Sequence, residues 1–200
     1  MNIHHITRKT MLAAVAIMAI PAAAIAAPTL VGSSSAPRTA STATVAAASC
    51  PTGWGSLPET KNLMTGAHVT GVRTGRHACF DRIVVDIRGR APGYDVRYVN
   101  NVYTDGAGFL VPLRGGAKLE VIVRAPAYDD GGRSTYNPAK PRELTNVAGY
   151  STLRQLAYAG SFEGQTTIGV GVRARLPFRV FTLPGPGSNS RLVIDVAHRW

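Results

Sequence analysis

From residue 67 onward the chain alternates apolar and polar side chains in short runs, cut at roughly 8–12-residue spacing by turn-forming residues. The runs are AHVTGVRT (67–74), FDRIVVDIRG (80–89), YDVRYVN (94–100), GFLVPL (108–113), KLEVIVRA (118–125), YSTLRQLAYA (150–159), TTIGVGVRA (166–174), FRVFTL (178–183) and RLVIDVAHR (191–199). Between them stand Gly75, Ala91-Pro92-Gly93, Asp105-Gly106, Gly115-Gly116, Asp130-Gly131-Gly132 and the Pro184-Gly185-Pro186-Gly187 cluster. A period of two sends successive side chains to opposite faces of a strand. Short strands in this number can bury their apolar faces only against one another, as a two-sheet β-sandwich or a barrel. The run 150–159 also fits a helical face through Leu153, Leu156 and Ala157. Segment 126–149, rich in Pro, Asp, Gly and Asn, reads as a long loop.

One hexapeptide occurs twice, as RIVVDI at 82–87 and RLVIDV at 191–196. Alternation puts Ile83, Val85 and Ile87 on one face and Arg82, Val84 and Asp86 on the other. Leu192, Ile194 and Val196 match the first set; Arg191, Val193 and Asp195 match the second. Were the two strands antiparallel with Val84 beside Val193, Arg82 would lie opposite Asp195 and Asp86 opposite Arg191. Those charge pairs would fix the register. The two strands could equally occupy equivalent places in separate sheets. Gly71-Val72-Arg73 precedes the first copy and Gly171-Val172-Arg173 the second. The expectation is an internally duplicated strand unit, with 71–87 and 171–196 equivalent about a pseudo-twofold axis and the six aliphatic residues buried together.

Ahead of the strands, residues 1–26 carry Arg8 and Lys9, an apolar run interrupted by Pro21, and the small-residue pattern Ala24-Ile25-Ala26. That order is the signature of a secretory signal peptide, and the run is short of the ~20 residues that span a bilayer. Residues 27–49 are mostly Ser, Thr, Ala and Pro with one charge and no aromatic, too little apolar surface to offset chain ordering, and read as a tether. The folded part is then 50–200, exported and without a transmembrane span.

Export gives the two cysteines, Cys50 and Cys79, an oxidising setting, and they are expected to be bridged. A lipidated Cys50 after Ala47-Ala48-Ser49 is the competing reading. The formal charge is +11, and +9 once Arg8 and Lys9 are removed. Such a balance attracts anionic partners outside the cell, such as wall polymers or lipid headgroups; it also serves solubility. No nucleic-acid-binding motif is present.

Signatures of catalysis are missing: there is no G-x-S-x-G elbow, H-E-x-x-H or P-loop. Asp129-Asp130 sits in a turn without EF-hand spacing, and His68, His77 and His198 are scattered, so neither metal nor cofactor is expected. Binding is the better-supported class. Tyr94, Tyr98 and Tyr103 are interleaved with Arg88, Arg90 and Arg97, where rings would stack on sugars and guanidinium groups would grip carboxylate or phosphate. A half-buried strand facing a core gives the same tyrosine pattern. Arg73, Arg88, Arg97, Tyr98 and Arg173 are the candidate ligand-binding residues.

LPFRVFTL (176–183), a Pro/Gly turn and SRLVIDV (190–196) resemble the closing strands of the AMIN domain of exported bacterial envelope proteins. HVTGVR (68–73), FDRIVVD (80–86), Pro92-Gly93-Tyr94, GGAKL (115–119) and Phe162-Glu163-Gly164 are similar to the AMIN-like domains of secreted proteins and lipoproteins. The resemblance, over 66–198, implies a small two-sheet sandwich with a non-enzymatic role in association with the envelope, through peptidoglycan or an anionic wall polymer. Within residues 1–200 no amidase, secretin or other effector domain is expected beside it. A secreted protein partner and an unrecognised hydrolase are the other function classes.

Overall fold

A computed structural model describes Cys50 and residues 53–200; the expected signal peptide and tether lie outside these residues. Among the described residues there is no helix, and eleven strands form two main antiparallel sheets packed face to face as a β-sandwich. One sheet has five strands, in the order β1 (Glu59–Lys61), β4 (Tyr94–Val99), β7 (Ala117–Val123), β9 (Gln165–Val172) and β8 (Leu153–Phe162). The other has four: β10 (Phe178–Pro184), β11 (Ser190–Ala197), β3 (Phe80–Arg88) and β2 (His68–Arg76). A two-stranded ribbon, β5 (Val102–Tyr103) with β6 (Leu110–Val111), is separate.

The run 150–159 is strand from Leu153 onward, with bulges near Gln155 and Gly160, because those residues pair with β9. It turns into β9 at Glu163-Gly164, where both residues have positive φ, 48° and 79°. That conformation suits the twist of a two-residue hairpin. Of the run 108–113 only Leu110 and Val111 pair, and β1 was not among the expected strands.

Alternation delivers the core. Ile83, Val85, Ile87, Leu192, Ile194 and Val196 are buried together, as expected, against Val96, Leu119, Val121, Ile168 and Val170 of the opposite sheet. Asp81, fully buried in β3, bolts the two sheets: its carboxylate accepts the Thr152 and Leu153 amides at 2.6 and 3.1 Å and lies 3.1 Å from His198 Nε2.

The duplicated unit is not realised as a symmetric pair. Residues 71–87 form the β2–β3 hairpin of the four-stranded sheet, but Gly171 and Val172 end β9 in the five-stranded sheet while 191–196 lie in β11 beside β3. Packing separates the two Gly-Val-Arg copies. A Cβ on Gly171 would come within 1.9 Å of the Arg114 carbonyl oxygen, so the chain before β7 needs a glycine there. A Cβ on Gly71 would meet only the Asp86 side chain, at an ordinary 3.6 Å.

Two coverings decide which surfaces stay open. The β5–β6 ribbon lies on the outer face of the five-stranded sheet, closing a second apolar cluster of Val102, Val111, Ala157 and Ala159. Small residues make this possible, since a Cβ on Gly169 would stand 2.9 Å from Leu113 Cδ1. The 126–149 segment guards strand edges: Leu144 N–H donates to Leu156 O and Tyr158 N–H to Pro141 O along β8, while Thr135 Oγ1 donates to Val69 O on β2. Exposed edges invite pairing with other chains. Among the described residues the outer face of the four-stranded sheet carries no such ribbon.

Candidate binding face

Antiparallel register builds that outer face as a grid. Its rows across β2, β3, β11 and β10 are Gly75–Arg82–Asp195–Arg179, then Arg73–Val84–Val193–Phe181, then Gly71–Asp86–Arg191–Leu183. Val84 does stand beside Val193, which is the register the repeated hexapeptide implies. Both copies therefore serve one sheet, with their aliphatic set inward and their Arg-Val-Asp set outward.

In the first row Asp195 is fully buried between two arginines. Arg82 grips it through Nε at 2.6 Å and Nη2 at 2.9 Å, and Arg179 through Nε at 2.9 Å and Nη2 at 2.8 Å. The hydrogen bonds to Asp195 raise the pKa of Arg82, against the opposing effect of burial. Aromatic rings complete the layer: Arg179 lies 4.3 Å from the Trp54 ring centroid and 5.1 Å from that of Phe181, and Arg82 lies 5.2 Å from that of Phe80. Guanidinium groups stacked on rings keep their plane fixed and their edges free to donate.

The expected Asp86–Arg191 ion pair does not form, although the two residues are opposite each other. Arg73, from the neighbouring row, takes both Asp86 oxygens at 2.8 and 2.9 Å. Gly71 stands beside Asp86 on the β2 side and has no side chain to bar its approach. Arg191 instead donates to Pro184 O at 2.6 Å, and its buried Nε has no partner among the described residues. A groove of about 250 Å³ runs between these groups, with Val84 and Val193 below and Arg73, His77, Arg82, Leu183 and Arg191 around it.

Of the ligand residues expected from sequence, Arg73 is on this face, and alternation along β3 puts exposed Arg88 there too. The others are elsewhere. Arg97 is held by Asp95 at 2.8 Å and Glu120 at 2.7 Å in the five-stranded sheet. Tyr98 packs against the core, its hydroxyl donating to Leu176 O at 2.9 Å and accepting Leu176 N–H at 3.0 Å. Arg173 lies beyond β9, where its side chain donates to His198 O at 2.6 Å. Sequence reasoning missed Arg179 and Trp54. The alternation of FRVFTL was signal enough to place Arg179 with Phe181, but nothing local pointed from Trp54 to β10.

The face carries Arg73, Arg82, Arg88, Arg179 and Arg191 against Asp86 and Asp195, an excess of three positive charges. Arginine holds its proton at any physiological pH and donates from a rigid fork. The chemistry available is recognition of oxyanions over an apolar floor. Elsewhere, Asp129 closes its own turn by accepting Gly131 N–H, Arg133 N–H and the Arg133 guanidinium, the Arg133 amide bond leading in holding its carboxyl below the usual range. Among the described residues no group of three or more His, Cys, Asp or Glu converges as a metal set.

Sheet order and packing define the class as an all-β, two-sheet sandwich domain. A family model, AMIN-like domain, matches residues 67–198, and the chain belongs to this cell-envelope-related family, whose domains are generally non-catalytic. No curated protein and no solved structure matches it. Cys50 and Cys79 are bridged, their Cα atoms 5.1 Å apart. Among the described residues no helix is long and apolar enough to cross a membrane.

Proposed function

We propose that this protein is an exported, non-enzymatic domain that associates non-covalently with the cell envelope, through peptidoglycan or an anionic wall polymer. The binding surface is the outer face of the four-stranded sheet. The observation that carries the reading is the grid itself: a sheet face that, among the described residues, has no ribbon laid over it and carries a surplus of arginine, stacked rings and a groove over Val84 and Val193. Carboxylates or phosphates of a polymer would exchange with water on Arg73, Arg88 and Arg191, around the groove that Val84 and Val193 line. Family membership points the same way.

The test is co-sedimentation of the protein with purified cell wall across a salt series. Wild-type protein is expected to pellet at low salt and to be released as the Debye length contracts below the ~8 Å of physiological ionic strength. The combined Arg73→Gln, Arg88→Gln, Arg191→Gln protein is expected to pellet weakly at every salt. Equal pelleting of the two proteins with equal salt response would remove this face from the mechanism.

A secreted protein partner is favoured by a different observation. Met64, Phe109, Leu110 and Phe162 are each more than half exposed, and Phe162 packs beside Gly106, in the turn that leads to Phe109. Pelleting with wall that is lost on Phe109→Ser and Phe162→Ser, with the arginines intact, would favour that reading.

A further inference from the structure

Away from the sheet face, a hollow of about 370 Å³ opens where β4 ends and β7 begins. It is at the small end of the ~300–1,000 Å³ typical of ligand pockets. Its wall includes Val99, Asn100, Gly116 and Ala117, its two charged residues are Lys118 and Arg175, and no carboxylate lines it. We propose that Lys118 and Arg175 form an oxyanion site for a phosphate ester carried on a small sugar or polyol unit.

Both cations are held in place by neutral oxygens. Lys118 Nζ donates to Asn100 O at 2.7 Å and to Asn101 Oδ1 at 3.4 Å. Arg175 donates from Nε to Ser56 Oγ at 3.1 Å and from Nη2 to Ser56 O at 2.9 Å, and its guanidinium carbon lies 5.2 Å from the Tyr98 ring centroid. An ammonium has three N–H donors and a guanidinium five. These contacts use two of each, leaving one on Lys118 and three on Arg175. Among the described residues neither cation forms an ion pair. The nearest acid on the same face of β7 is Glu120, two residues along at about 7 Å, and Arg97 already occupies it at 2.7 Å.

Geometry favours a tetrahedral anion over a planar one. A single arginine fork satisfies a carboxylate, whereas donors arriving from two separate elements suit the several oxygens of a phosphate. The hollow is much larger than a bare phosphate, so room remains for a carbon skeleton. Asn100 offers an amide to its hydroxyls, and Val99 and Ala117 offer apolar contact. The site is also stiff. A Cβ on Gly116 would come 2.5 Å from the Arg173 carbonyl oxygen, so this wall is pressed against the chain leaving β9. Such preorganisation limits the ordering cost of binding.

The phosphate ester could belong to a soluble compound or wall polymer, or to a lipid headgroup, and the experiment separates these. The full chain, isotope-labelled, is titrated with glycerol phosphate, with glycerol as the uncharged control, and separately with phosphatidylglycerol and phosphatidylcholine vesicles. Expected are saturable shifts of the Asn100, Gly116, Ala117 and Lys118 amides with glycerol phosphate and none with glycerol. Lys118→Gln should weaken binding about tenfold or more, as loss of a charge-assisted hydrogen bond implies. Arg73→Gln with Arg191→Gln should leave it unchanged. Binding confined to phosphatidylglycerol vesicles, with the same loss in Lys118→Gln, assigns the site to a headgroup. Because Arg175→Met could release Ser56, Lys118→Gln is the deciding variant, its fold checked by circular dichroism. The proposal is overturned by absence of shifts into the millimolar range together with no binding to phosphatidylglycerol vesicles, or by binding that Lys118→Gln does not weaken. Loss on the sheet-face variant equal to the loss on Lys118→Gln overturns it too, since diffuse charge would then explain both.

Discussion

Arg82, Asp195 and Arg179 show how a charge can be fully buried on the outward side of a sheet. Asp195 faces away from the core, yet two guanidinium groups and the rings stacked on them exclude water from it. Removing one partner of a buried ion pair is costly because the remaining charge stays desolvated. Arg82→Met should destabilise the fold by about 2–4 kcal/mol in urea melts, less than a full unpairing because Arg179 remains. A loss below about 1 kcal/mol would mean that Arg179 and water neutralise Asp195 unaided. Asp105 presents the opposite case. Burial raises its pKa above the ordinary 3.8, although Thr167 donates to it, and its second oxygen is buried with no partner among the described residues. Its folded form therefore binds a proton more readily than its unfolded form. This stabilisation is complete below the ordinary pKa and is lost as pH rises through the raised one. Against Asp105→Asn, the wild-type protein should lose melting temperature as pH climbs from the ordinary carboxylate range toward neutrality. A difference independent of pH would contradict this.

At the scale of elements, the two Gly-Val-Arg copies have different duties. Gly171 is needed where the chain before β7 crosses β9, whereas Gly71 stands beside the Arg73–Asp86 pair with room for a Cβ. Gly171→Ala should destabilise by roughly 1–3 kcal/mol or more, the range of overpacked sites, while Gly71→Ala should change stability little. Chemical denaturation of the two variants side by side checks this; equal losses would restore the equivalence that the sequence suggested. Strand pairing was legible because apolar alternation and the repeated hexapeptide each specify a face and a register. Partner choice within the grid was not, since Asp86 had Arg191 opposite it on β11 and Arg73 one row away on β2, and only the packed sheet shows that Arg73 takes it.

For the whole molecule, the Cys50–Cys79 bridge ties the start of the described chain to the turn before β3. The bridged residues are 29 positions apart, and in the chain-entropy treatment a loop of that length is worth about 3–4 kcal/mol. The Cys50→Ser, Cys79→Ser protein should lose about that much in equilibrium melts and keep its sandwich, because the core between the sheets does not involve the bridge. A molten product would show that the bridge does more than restrict the unfolded chain. Trp54 joins the arginine layer from the segment that follows Cys50, so the double variant should also loosen that corner of the binding face.

By itself the sequence determined the long strands β2, β3, β4, β7, β9, β10 and β11 and their inward faces, because each depends on a local period of two; the bridge between the only two cysteines was expected from counting, with lipidation of Cys50 as the alternative. It also determined that β3 and β11 can lie side by side in one register, since both copies of the hexapeptide carry complementary charges at matching positions. Only the tertiary structure decided which sheet each Gly-Val-Arg copy joins, which arginine holds Asp86, and that Trp54, Phe80, Arg179 and Phe181 meet over Asp195. It likewise placed Arg97, Tyr98 and Arg173 in structural contacts away from the sheet face. These outcomes turn on competition among groups distant in sequence, and on where a backbone comes too close to admit a Cβ. Neither leaves a trace in the pattern of any single strand.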